Sequence, residues 1–264
     1  MHIELNGRTA LVTGSTRGIG AAVSRQLAGC GARVILHGRS QDSVTQAIDH
    51  LRTECPSVEV SGVVADLASE DGCCDILRLI DGNIDVLVHN AGVYEWVPFA
   101  DIPDDAWLRM FNIHVMAGVR LARAALPRML QNNWGRIVFV GSDAGVYVPG
   151  EMLHYGVTKA AELALMRGLA ELTKGTAVTV NAVLPGPTAV EGAERFFDDY
   201  AERNAVPRET AERHFIRGSR PTSLIDRMAT VDEVANLITY VCSAFSSATN
   251  GAALRAEGGI LRHI

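Results

Sequence analysis

Short β-branched runs alternate with longer helical patterns along the whole chain, and this alternation limits the fold more than any other feature. TALVTG (9–14), RVILHG (33–38), VEVSGVV (58–64), IDVLVHN (84–90), RIVFVG (136–141), TVNAVLP (179–185) and AALRAEG (252–258) read as strands. Several are apolar almost throughout, as a strand covered on both faces must be. Helical patterns lie between them, notably at 18–29, 41–54, 104–131, 155–173 and 231–244. Such alternation predicts an α/β protein with a parallel sheet, right-handed crossovers and helices on both faces. Pro127 is expected to kink the 104–131 helix. Gly175 after Lys174 reads as an ordinary helix stop with a cation in the last turn.

With 264 residues the chain suits one large α/β domain or two small ones. No linker, composition break or repeat of about 20 to 50 residues divides it, so residues 1–264 read as a single domain. Residues 186–228 leave the alternation. They are rich in Glu, Asp and Arg, carry Phe196, Phe197 and Tyr200, and read as a helical excursion over one end of the sheet. That excursion is either a substrate lid or a solvated hairpin.

The net charge of −6 argues against a nucleic-acid or anionic-membrane partner. No stretch approaches the roughly 18 apolar residues of a membrane span, and the N-terminus does not read as a signal peptide. Cys30, Cys55, Cys73, Cys74 and Cys242 form no CxxC pair and have no His at ligand spacing. No metal is expected, and the thiols suit a reducing cytoplasm.

Chemistry gathers in the turns after the strands. TGSTRGIG (13–20) follows the first strand and opens a helix, with Gly14, Gly18 and Gly20 spaced GxxxGxG. Such a loop lets the backbone approach a pyrophosphate that rests on the helix N-terminus, although a tight structural turn has the same composition. The second strand ends in Gly38 and Arg39, where an NAD-binding protein carries an acidic residue for the ribose. A guanidinium there suits a 2′-phosphate. Arg17 could add a second charge, unless both are ordinary surface arginines. Of 24 basic side chains only Lys159 and Lys174 are lysines, and Lys159 stands four residues after Tyr155. On a helix the phenol and the ammonium share a face.

TGSTRGIG, NAG (90–92), GS (141–142), YGVTK (155–159) and PGPT (185–188) together resemble the short-chain dehydrogenase/reductase superfamily, in its single-domain, 3-oxoacyl-carrier-protein-reductase-like branch. The order and spacing hold from about residue 5 to residue 260, with Ser142 lying 13 residues before Tyr155. The resemblance implies a Rossmann-type doubly wound parallel sheet of about seven strands, forming one dinucleotide-binding catalytic domain. It implies an NADP(H)-dependent oxidoreductase that interconverts a ketone or aldehyde and an alcohol. Tyr155 would transfer the proton, Lys159 would lower its pKa and hold the nicotinamide ribose, and Ser142 would hold the substrate oxygen. Gly14, Thr16, Arg17, Gly18, Ile19 and Gly20 would line the phosphates, and Asp66 and Leu67 the adenine. Asn90, Ala91 and Gly92 would border the adenosine, while Pro185, Gly186 and Thr188 would meet the nicotinamide. Tyr94, Trp96, Glu151 and His154 are candidates for the pocket edge or for plain packing.

One position departs from the family. His114 stands where an Asn usually helps to hold a proton-relay water. It would hold that water, shuttle protons itself, or simply pack in its helix. The resemblance further implies a cytoplasmic homotetramer acting on a small carbonyl or alcohol. Two alternatives stay open: an NAD-dependent sugar or polyol dehydrogenase, and a dinucleotide-binding regulator without turnover.

Overall fold

The computed structural model describes residues 2–79, 84–191 and 193–264. Its strands are β1 (Thr9–Val12), β2 (Arg33–Gly38), β3 (Val60–Val64), β4 (Val86–His89), β5 (Gly135–Val140), β6 (Val178–Pro185), β7 (Thr188–Ala189), β8 (Ala229–Thr230) and β9 (Ala253–Ala256). The helices are α1 (Gly18–Gly29), α2 (Gln41–Glu54), α3 (Glu70–Leu79), α4 (Asp104–Phe111), α5 (Ala117–Gln131), α6 (Leu153–Glu171), α7 (Ala193–Asn204), α8 (Arg208–Ser219) and α9 (Val231–Cys242).

Seven strands make one parallel sheet in the order β3-β2-β1-β4-β5-β6-β9. Successive side chains of a strand point to opposite faces, and each face is covered by its own helices. Leu11, Ile35, Leu87, Ile137 and Val180 pack with apolar residues of α3, α5 and α6. Ala10, Val12, Val34, Val88 and Val138 pack with α1, α2 and α9. Two buried faces explain why these strands are apolar at nearly every position.

From β1 the chain winds outward to β3, then returns to place β4 on the other side of β1. Winding in opposite directions opens a crevice at the C-terminal ends of β1 and β4, the usual ligand site of such a sheet. The turns after β1, β3, β4, β5 and β6 all lie on that edge, so one topological feature gathers the motifs.

Two local expectations change. The helix foreseen over 104–131 has a π-helical turn at Asn112–Met116, between α4 and α5. Helix α5 runs through Pro127 without ending, and a second departure from α-helical hydrogen bonding, the π-helical turn about His114, lies upstream of the proline. Helix α6 begins at Leu153, two residues earlier than the sequence suggested.

Between β6 and α9 the chain forms α7 and α8, which bury Phe197, Ala201 and Ala211 between them. A two-residue parallel pairing of β7 with β8 closes the base of this excursion.

Candidate active site

The glycine loop is set by backbone geometry. Gly14 has φ +62°, the left-handed region that favours glycine. A Cβ on Gly20 would stand 2.4 Å from the Gly14 carbonyl and 2.5 Å from Asn90 Nδ2. Asn90 ties this loop to the end of β4, donating from Nδ2 to the carbonyls of Thr13 (2.9 Å) and Gly14 (3.0 Å). The Ala91 amide donates to Thr13 Oγ1 at 2.9 Å. Asn90 and Ala91 therefore build the floor of the loop.

His37 braces the same loop from β2, and the sequence reading overlooked it. The Gly14 amide donates to His37 Nδ1 at 2.9 Å, which leaves Nε2–H to donate to the Ala65 carbonyl at 3.2 Å. Burial pushes its pKa down, so the ring stays a neutral brace. Its place as the next-to-last residue of the apolar strand β2 was the available signal.

Arg17, at the N-cap of helix α1, makes no side-chain cap hydrogen bond, and the first turn holds no acidic residue. The Gly18 amide donates to Glu191 Oε2 at 2.9 Å, so this helix end already holds an anionic oxygen. Arg17 and Arg39 are exposed beside the loop and after β2. Small loop residues, free amide donors and two guanidinium groups fit a dinucleotide phosphate chain. Asp66 is exposed after β3, whereas Leu67 is buried in the core. The Leu67 side chain is packed in the core, so only its backbone would be left for the adenine contact expected of it. Pro185 ends β6 buried, and Thr188 Oγ1 donates to the Gly186 carbonyl at 2.9 Å.

Ser142 follows β5, and Tyr155 and Lys159 share one face of α6. Ser142 donates from Oγ to Asp143 Oδ1 at 3.0 Å and accepts from the Ala144 amide at 3.1 Å. Asp143 in turn accepts from Arg220 Nε at 2.8 Å, a buried ion pair that joins the end of α8 to the serine turn. Lys159 Nζ lies 6.0 Å from the centre of the Tyr155 ring. It donates to the Val140 carbonyl and to Glu162 Oε2, each at 2.8 Å. Asp143 and Glu162 were visible as neighbours of Ser142 and Lys159 in sequence; Arg220 carried no such signal.

The expected acidic shift of Tyr155 does not occur. Burial pushes its phenol above the ordinary range, and the Lys159 charge and Ser142 offset this only in part. Burial works against the Lys159 ammonium too, but Glu162 and Tyr155 outweigh it and its pKa is raised.

Of the three roles left open for His114, its geometry fits packing in its helix. The Val93 amide donates to its Nε2 at 3.0 Å, so the proton sits on Nδ1 and goes to Thr158 Oγ1 at 2.8 Å. Thr158 Oγ1 in turn donates to the Tyr155 carbonyl at 2.9 Å. Burial first, and the Lys159 charge next, hold its pKa well below the usual value. With both nitrogens engaged and the ring neutral, no free nitrogen is left for a proton shuttle. The π-helical turn also directs the His114 carbonyl to His89 Nε2 at 3.0 Å.

Of the pocket-edge candidates, Tyr94 lies 6.4 Å from Tyr155 between ring centres. Tyr94, Trp96 and Glu151 are exposed. His154 is fully buried against Trp107 and is no rim residue. Among the described residues no cluster of His, Cys, Asp or Glu offers a metal site.

The family model described as short chain dehydrogenase matches residues 8–201. The chain belongs to the short-chain dehydrogenase family. Within that family it is 42% identical to the uncharacterised oxidoreductase YvaG of Bacillus subtilis, over the whole of both chains. It is 30% identical to a D-beta-hydroxybutyrate dehydrogenase of Cupriavidus necator, covering 97% of this chain and 98% of that one. Its fold is similar to that of L-sorbose reductase from Gluconobacter frateurii, complexed with NADPH and L-sorbose. The TM-score is 0.93, at 27% identity and full coverage of both chains.

Proposed function

We propose that this chain is an NADP(H)-dependent reductase of a small ketone or aldehyde, with Ser142, Tyr155 and Lys159 as its reacting set. The observation that carries this reading is a Tyr155 phenol half-buried above the Lys159 ammonium, beside Ser142, on the edge where the glycine loop lies. The bound dinucleotide supplies hydride. Tyr155 donates its proton to the substrate oxygen, and its raised pKa keeps the proton in place at neutral pH. Lys159 stabilises the phenolate left behind. Ser142 orients the oxygen once its hydroxyl proton turns from Asp143, its acceptor in this structure, to the substrate.

Gly14, Thr16, Arg17, Gly18, Ile19 and Gly20 hold the phosphates, Arg39 the 2′-phosphate and Asp66 the adenine end. Asn90, Ala91, Gly92, Pro185, Gly186 and Thr188 complete the cleft. The NADPH complex of the sorbose reductase supports this cofactor, and its substrate makes ketoses the first compounds to try. Residues 186–228 act as the lid of a single domain, anchored by Arg220 on Asp143. Exposed Leu108, Phe111, Val157 and Leu172 on α4, α6 and the turn after α6 support a homotetramer. Five free cysteines suit the cytoplasm; no helix among the described residues is long and apolar enough to cross a membrane.

Oxidation of NADPH and NADH is assayed with a panel of ketoses, 3-oxo thioesters and simple ketones. Turnover with NADPH is expected, and its absence across the panel removes the proposal. Arg39→Ala is expected to weaken NADPH binding about ten- to a hundredfold, as loss of a charge-assisted contact implies, with NADH nearly unaffected. Equal weakening of both cofactors shifts the reading to an NAD-dependent dehydrogenase.

A further inference from the structure

Lys159 faces a carboxyl group that the proposed chemistry does not require. Glu162 lies one turn further along α6 and is 0% exposed. Its Oε2 accepts from Lys159 Nζ at 2.8 Å, while its buried Oε1 has no hydrogen-bond partner among the described residues. An ionised carboxylate with an unpartnered oxygen is costly to bury, and such a pair is weak evidence for a stabilising role. Its electrostatic effect on the neighbouring phenol is direct. With Glu162 ionised, the lysine and the carboxylate form a nearly neutral pair as seen from Tyr155. With Glu162 protonated or absent, the ammonium, then held charged against burial by the phenolate itself, acts on Tyr155 without compensation.

We propose that Glu162 is a positioning residue that holds Lys159 beneath Tyr155 and sets the pH at which the Tyr155 phenol ionises. The inference deepens the reading of Tyr155 as proton donor and rests on it. Burial pushes the Glu162 carboxyl up to about 7, with Lys159 pulling the other way. The carboxyl is therefore charged at the alkaline pH where the phenol titrates, and there it opposes that ionisation. The other groups facing the pair do not replace it. His89 at the end of β4 is driven to about 4 by burial and by Lys159. His114 in the π-helical turn is held neutral in the same way. Asp143 after β5 also raises the phenol, but its charge is matched by Arg220 at 2.8 Å.

Glu162→Gln keeps an oxygen acceptor for Lys159 and removes the charge. Tyrosinate absorbance is titrated in the wild type and in Tyr155→Phe, and the difference gives the midpoint of Tyr155 alone. The same pair is then measured in the Glu162→Gln background. The midpoint is expected to fall by about one pH unit or more. The alkaline limb of kcat/KM for carbonyl reduction is expected to move down by the same amount. An unchanged midpoint in a folded variant, with only a lower melting temperature, reduces Glu162 to a packing residue and overturns the proposal. Should Glu162→Gln fail to fold, Glu162→Asp withdraws the charge by one methylene. A smaller fall then supports the proposal, and no fall overturns it. Because the titration needs no substrate, it reads out even if no carbonyl compound is turned over, so the two readings fail separately.

Discussion

Tyr155 and His114 touch edge to face, with ring centres 5.6 Å apart, yet their substitutions are expected to act differently. Tyr155→Phe removes the transferable proton. Its kcat is expected to fall on the order of a hundred- to ten-thousandfold, with dinucleotide affinity unchanged by fluorescence titration. Retention of a third or so of kcat would contradict the role. His114→Asn unties Val93 from Thr158, because one short amide does not span both partners. The melting temperature is expected to drop while kcat stays within about tenfold, less than loss of a general acid or base costs. A large loss of kcat at unchanged stability would return a proton-transfer duty to the imidazole. The sequence made Ser142, Tyr155 and Lys159 legible because their spacing follows from one helix and one strand end. It left His114 ambiguous because a tautomer is set by partners far away in the chain, here Val93 and Thr158.

Helices and strands were read largely within a few residues, since two-sided burial and helical periodicity are local signals. The π-helical turn at Asn112–Met116 was not legible. It depends on how His89, Val93 and Thr158 close around that turn. The excursion of α7 and α8 was recognised from composition, but not its attachment. Arg220, 77 positions from Asp143, is almost completely buried beside the serine turn. Arg220→Ala leaves the Asp143 carboxylate buried without its partner. Loss of about 3–5 kcal/mol is expected for a buried pair broken on one side, measured by denaturant unfolding. A loss under about 1 kcal/mol, the range of exposed pairs, would mean that the excursion is not anchored there.

At the scale of the whole molecule, buried histidines govern acid stability. His37, His89 and His114 all have lowered pKa values, chiefly through burial. The unfolded chain takes up protons near the ordinary imidazole value of 6.5, while folded His89 resists to about 4. Stability from this source is present above 6.5 and is lost as pH falls towards 4, by about 3 kcal/mol for His89 alone. Glu162 works in the opposite sense. Its folded pKa is raised from 4.5 to about 7, so its contribution is present below 4.5 and is lost as pH rises to 7. The melting temperature is expected to fall between pH 6.5 and 4.5, and more steeply in Glu162→Gln, which lacks the opposing effect. A flat profile in that variant would show that the histidines titrate normally.

The sequence by itself determined the parallel α/β architecture, the glycine loop and the Ser142, Tyr155 and Lys159 positions. Each rests on side-chain periodicity, backbone conformation or spacing within one or two elements. Only the tertiary structure decided the charge states and the supports. Glu162 is buried with Lys159 on α6, Arg220 reaches Asp143 from the end of α8, and burial pushes the Tyr155 phenol up further than the lysine beneath it pulls it down. Desolvation sums over every element that surrounds a group, and no stretch of sequence carries that sum.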